Sequence, residues 1–265
     1  MDENYLLANE IKESLDTEII GKKIYYYSQV SSTNKIASEL AKYGANEGTV
    51  VIAERQNSGK GRRGRAWHSS ADGLWFSIIS RPEIKISESH FFTINASLAI
   101  YYALKVLDIE SEIKWPNDIL YKNKKICGIL SEMNSSSEKL NYIVTGIGIN
   151  VNQEKFPEQI KDKAISLYNI LGNKVDKIEL LKDILFYFEN FYFRFLNGEK
   201  EKLLEEWKNK ISLLGNKVKV RSDGKVFFGK AIDIDKDGRL VLLTEKSKIK
   251  KFWAGDASVR QNKNQ

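Results

Sequence analysis

The residues best suited to chemistry lie together in one segment, Glu54-Arg55-Gln56-Asn57-Ser58-Gly59-Lys60-Gly61-Arg62-Arg63-Gly64-Arg65-Ala66-Trp67. Five cations and three glycines fall between Arg55 and Arg65. Glycine lets backbone amides approach a ligand closely, and successive amides form an anion-binding concavity. Guanidinium groups add two-pronged contacts to phosphate or carboxylate. Such a loop suits a polyphosphate or an acyl phosphate. A solvated basic loop and a nucleic-acid arm are the plainer alternatives; the glycines and flanking strands favour an ordered ligand loop. A nucleotide P-loop is excluded. Gly59-Lys60 is followed by Gly61 rather than Ser or Thr, and Glu54 stands where the first P-loop glycine belongs.

Other segments carry polar groups at suggestive positions. Ser31-Ser32-Thr33-Asn34 precedes a helical pattern, where Ser and Thr can cap the helix or contact a ligand. Lys114-Trp115-Pro116-Asn117-Asp118 reads as a strand ending in a turn, with Trp115 in the core and Pro116 holding it extended. Lys124-Lys125 opens the apolar run Ile126 to Glu132. Gly146-Ile147-Gly148-Ile149-Asn150 ends a strand; it lacks the third glycine and following helix of a dinucleotide fingerprint. With His68, His90 and Cys127 the whole complement of their types, no Ser-His-Asp or Cys-His nucleophile is plausible.

In this order, and with Gly255-Asp256 near the C-terminus, these segments resemble the biotin protein ligase family over roughly residues 20 to 260. The resemblance implies two steps without an enzyme nucleophile. Biotin's carboxylate attacks the α-phosphate of ATP, giving biotinyl-5′-adenylate and pyrophosphate. A lysine of a biotin carboxyl carrier protein, from acetyl-CoA carboxylase or a related carboxylase, then attacks the acyl carbon and AMP leaves. Lys125, Asp118 and Lys60 are the implied catalytic residues. Ser32, Thr33, Asn34, Gln56, Lys60, Gly61, Arg62, Lys125, Gly128 and Gly148 are the implied biotin contacts. Arg62, Arg65, Trp67, Asn117 and Asn150 are the implied ATP contacts. Mg²⁺ is expected with ATP. A carboxylate beside phosphates is repulsive unless a cation intervenes, so Asp118 is either a Mg²⁺ ligand or the orienter of a lysine.

The family also implies a fold: α+β, with a mixed, mostly antiparallel sheet packed with helices as in class II synthetases, plus a small C-terminal SH3-like β-barrel. The expected division is a short segment over 1–20, a catalytic domain over 21–212 and the barrel over 213–265. The segment before the first strand is too short for a helix-turn-helix module, so the monofunctional class without operator DNA is expected. Lys60 stands where some relatives have Arg. Relatives include dimers formed by extending the central sheet, and monomers. A lipoate or octanoate ligase or transferase shares the fold and is the first alternative. A nucleic-acid-binding regulator is the second.

The elements that must position these groups follow from periodicity. Leu6, Leu7, Ile11 and Leu15 have helical spacing. Strands are expected at Lys23–Val30, Thr49–Ala53, Leu74–Ser80, Ile113–Trp115, Ile119–Tyr121, Ile126–Glu132 and Tyr142–Asn150. The loop is expected to run from Glu54 to Gly73. Helices are expected after Ser32, and over Phe91–Leu107, Ile178–Leu196 and Glu199–Lys210. From Gly215 onward short β-rich runs alternate with turns such as Ser222-Asp223-Gly224 and Lys236-Asp237-Gly238.

Composition narrows the class. With 42% apolar residues among 265, a sizeable core is available. No apolar run reaches the roughly 18 residues of a membrane span, and Met1-Asp-Glu-Asn does not open a secretion signal. The single cysteine fits a reducing, cytoplasmic setting. The net charge of +7 resides wholly between Ile211 and Gln265, where 13 Lys/Arg meet 6 Asp/Glu. That tail is either a solvated surface or an attractor for an acidic partner.

Overall fold

A computed structural model describes residues 3–137, 139–222, 224–253 and 255–259, with the backbone alone for 3–7. The side chains of Leu6 and Leu7, and Asp223 of the expected turn, lie outside the described residues. The chain runs α1 (Glu3–Glu13), β1 (Ile24–Val30), α2 (Thr33–Lys42), β2 (Val50–Gln56), β3 (Leu74–Ser80), α3 (Phe91–Val106), β4 (Glu112–Lys114), β5 (Asp118–Tyr121), β6 (Lys124–Ser136) and β7 (Lys139–Ile149). Then come α4 (Leu167–Leu171), α5 (Lys177–Leu196), α6 (Lys200–Lys208), β8 (Lys217–Ser222), β9 (Lys225–Ile234), β10 (Leu240–Thr244), β11 (Ile249–Phe252) and β12 (Asp256–Val259). No described helix is long and apolar enough to cross a membrane.

Strands β1 to β7 form one sheet in the order β1-β2-β3-β7-β6-β5-β4. Only β1 and β2 are parallel; the other pairs are antiparallel. This is the expected mixed, mostly antiparallel sheet. β3 sits near its middle, and all seven of its residues are buried, as a strand covered on both faces requires. Side chains alternate between faces. Leu74, Phe76 and Ile78 of β3, with Ile143, Ile147 and Ile149 of β7, join the large core beneath α3 and α5. Ile79 of β3, with Tyr142 and Val144 of β7, packs under Ala37 and Ala41 of α2 on the opposite face. Further along that second face, β7 carries Gly146 and Gly148. The helix therefore covers the apolar half of the strand and leaves the glycine half open.

Strands β8 to β12 form a separate antiparallel sheet in the order β11-β10-β9-β8-β12. Its buried residues, among them Val218, Val220, Ala231, Leu240 and Leu242, are continuous with the main core. The expected turn at Lys236-Asp237-Gly238 joins β9 to β10, with Gly238 at φ +77°.

Some boundaries differ from the sequence expectation. β2 continues to Gln56, because it keeps pairing with β1 through Gln29 and Val30. β6 and β7 form a hairpin that reaches Ser136 and Lys139. Its outer end is polar, so apolar alternation does not reveal it. Neither α4 nor β12 is evident in the sequence pattern.

A buried carboxylate ties the N-terminal segment to α5. Glu189 accepts hydrogen bonds from the backbone amides of Glu18, Ile19 and Ile20 at 2.6, 2.7 and 2.8 Å. Glu189→Ala would strand these donors. We expect it to destabilise the protein by about 2–4 kcal/mol, read as a lowered midpoint in urea unfolding. An unchanged midpoint would show that water replaces the carboxylate.

Candidate active site

The open half of the sheet face forms the floor of a cavity of about 1020 Å³. Its lining includes Ser32, Thr33, Asn34, Gln56, Lys60, Gly61, Arg62, Arg65, Trp67, Asn117, Asp118, Lys125, Gly128, Gly148 and Asn150. The structure thus brings together every implied catalytic, biotin and ATP residue, from segments more than 100 positions apart.

The basic loop is ordered by its own backbone. Gln56 bridges to Ser69 and Lys60 to Ala66. Gly61 N–H donates to Arg65 at 2.7 Å, and Trp67 N–H donates to Gly59 at 2.8 Å. Asn57 and Ser58 N–H donate to Val30 and Ser31, fastening the loop's first limb to the end of β1. Arg62 turns inward and donates to Asn117 Oδ1 at 2.9 Å. Burial, and then the neighbouring Arg63, hold the Arg62 guanidinium below its ordinary pKa; it still stays charged at neutral pH.

Trp67 lies over the glycines. An added Cβ on Gly148 would meet its Nε1 at 2.6 Å, and one on Gly128 would meet its ring at 2.8 Å. At the other end of the floor is a neutral polar cluster. Ser77 donates to Asn34 Oδ1 at 2.7 Å, and its hydroxyl lies 2.8 Å from Thr33 Oγ1. Gln56 Oε1 accepts from Thr33 N–H at 2.8 Å, while its Nε2 donates to Ser69 at 2.9 Å. Asn34 Nδ2 donates to Glu132 at 2.7 Å and to the Leu130 carbonyl at 3.1 Å. Ser32 occupies the N-cap position of α2, but its side chain makes no capping hydrogen bond.

Lys125 and Asp118 form an ion pair at 2.7 Å, with both side chains partly buried. A bulge in β6 makes the pair possible. Ile119 pairs with Cys127 and Leu120 with Lys125, so Ile126 is the extra residue and the strand is re-aimed there. The Lys125 backbone is clamped on both sides. Its N–H donates to Lys163 at 2.7 Å, and its carbonyl accepts from Ile165 N–H at 3.0 Å and from Asn150 Nδ2 at 3.1 Å. The ammonium also lies 5.5 Å from the Trp67 ring centroid, within cation–π range. Asn150 therefore holds Lys125 as well as lining the cavity. Among the described residues, no group of three or more His, Cys, Asp or Glu could hold a metal ion. Burial pushes the Cys127 thiol well up, so it is a core residue rather than a nucleophile.

Comparison with known proteins places this geometry. The model of the biotin/lipoate A/B protein ligase family matches residues 25–150, and that of the biotin protein ligase C-terminal domain matches residues 213–260. The bifunctional ligase/repressor BirA of Bacillus subtilis is 38% identical over 255 residues, covering 95% of this chain and 78% of that protein. The chain belongs to the biotin protein ligase family. The biotin–[acetyl-CoA-carboxylase] ligase of Mycobacterium tuberculosis is 29% identical, covering 87% of this chain and 89% of that protein. The Aquifex aeolicus biotin protein ligase, solved in complex with biotin and ATP, superposes with a TM-score of 0.78 at 31% identity, covering 91% of this chain and all of that one.

Sequence reasoning missed part of this ligase-family cavity. Lys219, Arg221, Gly255, Asp256 and Ser258 of the small sheet form one wall, and Phe156 to Ala164 contribute another stretch. Asp256 links the two sheets, with Lys114 Nζ at 3.3 Å and Arg65 Nη1 at 3.7 Å. Burial alone would raise its pKa; Lys114, then Arg65 and Lys125, outweigh that and hold the carboxyl below its ordinary value. Gly255-Asp256 signals this position only through family resemblance. Lys219 and Arg221 carry no local signal beyond charge.

Proposed function

We propose that this protein is an ATP-dependent ligase that activates biotin as biotinyl-5′-adenylate and transfers it to a lysine of a biotin carboxyl carrier protein. The observation that carries the reading is one cavity lined by the Lys125–Asp118 pair, the basic loop and the neutral Ser-Thr-Asn-Gln cluster. The neutral cluster suits a ureido group, which offers N–H donors and a carbonyl acceptor. The basic loop suits the phosphates.

In the first step a biotin carboxylate oxygen bonds to the α-phosphorus, and the bond to the pyrophosphate leaving group breaks. Two anions must meet. Lys125, Lys60 and Arg62 stabilise the charge gathered in that transition state, and the folded loop excludes water from the mixed anhydride. Arg65, Asn117, Trp67 and Asn150, all in the cavity lining, are the residues we assign to the nucleotide. Mg²⁺ belongs to the substrate, entering on the ATP phosphates, and Asp118 is the carboxylate we assign to it, with Asp256 the other one in the cavity lining. In the second step the acceptor amine bonds to the acyl carbon and AMP departs with the bonding electrons. Asp118, already an acceptor toward one ammonium, is placed to take the proton that the incoming lysine must lose.

The reading divides the chain into a catalytic unit over 21–212 and a small β-unit over 213–265, acting in the cytoplasm. The deciding assay is biotin-dependent exchange of pyrophosphate into ATP, followed by transfer to a carrier domain. Biotin is expected to support both, with lipoate and octanoate inactive. Exchange with lipoate or octanoate and none with biotin would reverse the assignment.

A further inference from the structure

The neutral Ser-Thr-Asn-Gln cluster has a second row of groups behind it. Phe76 and Ile78 of β3 enter the core beneath α3, so Ser77 between them faces the other way, toward the cavity side. It stands opposite Gly146 of β7 and is fully buried. Glu132 of β6 follows two residues after Leu130 on the same face. Neither Ser77 nor Glu132 lines the cavity, whereas Thr33 and Asn34 both do. Ser77 and Glu132 therefore reach a ligand only through Thr33 and Asn34.

The hydrogens of this cluster have one consistent arrangement. Asn34 Nδ2 faces Glu132 at 2.7 Å and the Leu130 carbonyl at 3.1 Å. A carbonyl and a carboxylate only accept. Reversing the Asn34 amide would set oxygen against oxygen, so its Oδ1 must face Ser77. That Oδ1 accepts as well, and the single hydroxyl hydrogen of Ser77 is committed to it at 2.7 Å. Ser77 Oγ is then an acceptor toward Thr33 Oγ1, 2.8 Å away. The other oxygen beside Thr33 Oγ1 is Gln56 Oε1, at 3.2 Å. Gln56 is oriented in turn, because its Oε1 accepts from Thr33 N–H and its Nε2 donates to Ser69. The Thr33 hydrogen thus stays inside the protein, on Ser77 or on Gln56. Turned toward the cavity, it would leave Oγ1 against two oxygens at 2.8 and 3.2 Å with no hydrogen between them. Thr33 shows the cavity lone pairs alone.

We propose that Ser77 is a positioning residue for the biotin head: it fixes Thr33 as an acceptor, so that the site selects a ring N–H there and rejects a ring oxygen of the same shape. This rests on the ligase reading above. A hydroxyl ordinarily rotates to suit whichever partner arrives. The chain from Asn34 through Ser77 removes that freedom at Thr33, and with it tolerance for the wrong head. A site built around a hydrogen bond discriminates because a mismatched group is left buried and unpaired.

The test measures, by calorimetry on the full chain, the affinity for biotin and for two carbamate analogues, each with one ureido nitrogen replaced by oxygen. The unaltered protein should bind one of the two about 100-fold more weakly than biotin, as expected for a buried group without a partner. Ser77→Ala removes the acceptor that holds the Thr33 hydrogen by its shorter contact. The hydrogen can then turn outward to meet the ring oxygen, and that ratio should fall below about tenfold. A ratio taken within one variant cancels any general loss of affinity or stability. On a Thr33→Val background there is no hydroxyl to orient, so adding Ser77→Ala should not move the ratio further. A ratio unmoved by Ser77→Ala alone would overturn the role of Ser77. So would an equal fall on the Thr33→Val background, which would mean that Ser77 acts by another route. Equal binding of biotin and both analogues by the unaltered protein would overturn Thr33 as the fixed acceptor. No biotin binding and no biotin-dependent pyrophosphate exchange in the unaltered protein would instead overturn the ligase reading.

Discussion

Lys125→Ala is expected to lower the rate of biotinyl-adenylate formation by about 100- to 1000-fold, the usual cost of losing one fixed donor to a developing charge. The size of the effect follows from how the ammonium is held. Its backbone is clamped by Lys163, Ile165 and Asn150, and its charge sits between Asp118 and the Trp67 ring. A cation so fixed needs no reorganisation when two anions are pressed together. The substitution also leaves Asp118 without its partner beside the incoming phosphates, which adds repulsion. Lys124→Ala, one residue earlier, is expected to change the rate little. Pre-steady-state measurement of adenylate formation separates this from product release. A Lys125→Ala protein that forms adenylate within tenfold of the original rate would remove Lys125 from the chemistry.

Gly146→Ala is expected to raise the biotin Kd by about 100-fold, or roughly 2.7 kcal/mol, while changing the ATP KM far less. An added Cβ would lie 1.8 Å from Asn34 Oδ1 and 2.6 Å from its Cγ. Asn34 cannot swing aside cheaply, because Ser77, Glu132 and the Leu130 carbonyl hold both ends of its amide. The clash must move the start of α2, and with it Ser32 and Thr33. Overpacking of this kind also costs about 1–3 kcal/mol of stability. Calorimetric titration with biotin, well below the unfolding temperature, distinguishes the two losses. Unchanged biotin affinity would show that the Ser-Thr-Asn cluster does not contact biotin.

The contrast between what the sequence disclosed and what it concealed has a physical basis. Phe91 to Val106 was legible as a helix because nearly every side of it is buried, including Leu98, Ala99 and Ile100 in succession. β3 was legible as a continuous apolar run for the same reason. The cavity's floor and loop were legible because glycines, cations and small polar residues interrupt otherwise apolar elements, in an order shared with a family. Residues 153–164 lacked any such pattern. At their end the Lys163 carbonyl accepts from Lys125 N–H, and Ile165 N–H, just beyond, donates to the Lys125 carbonyl; backbone hydrogen bonding leaves almost no mark on side-chain choice. The same holds for the bulge at Ile126, which depends on pairing between strands. Asp256 illustrates a third limit. Its partners, Lys114 and Arg65, are 142 and 191 positions away, and only tertiary packing brings them to it.

That last wall has a consequence for how the protein is made. Residues lining the cavity between Ser32 and Ala164 leave the ribosome well before Lys219, Arg221, Gly255 and Asp256. At about 5–20 residues per second, domains fold in order of synthesis. A nascent chain can thus assemble the sheet, the basic loop and the Lys125–Asp118 pair while the remaining wall has yet to be translated. Enclosure of the cavity is therefore a late event, completed only after Asp256 and Ser258 have been synthesised, and a polypeptide that stops short of them lacks the rim that would shelter a reactive intermediate from water.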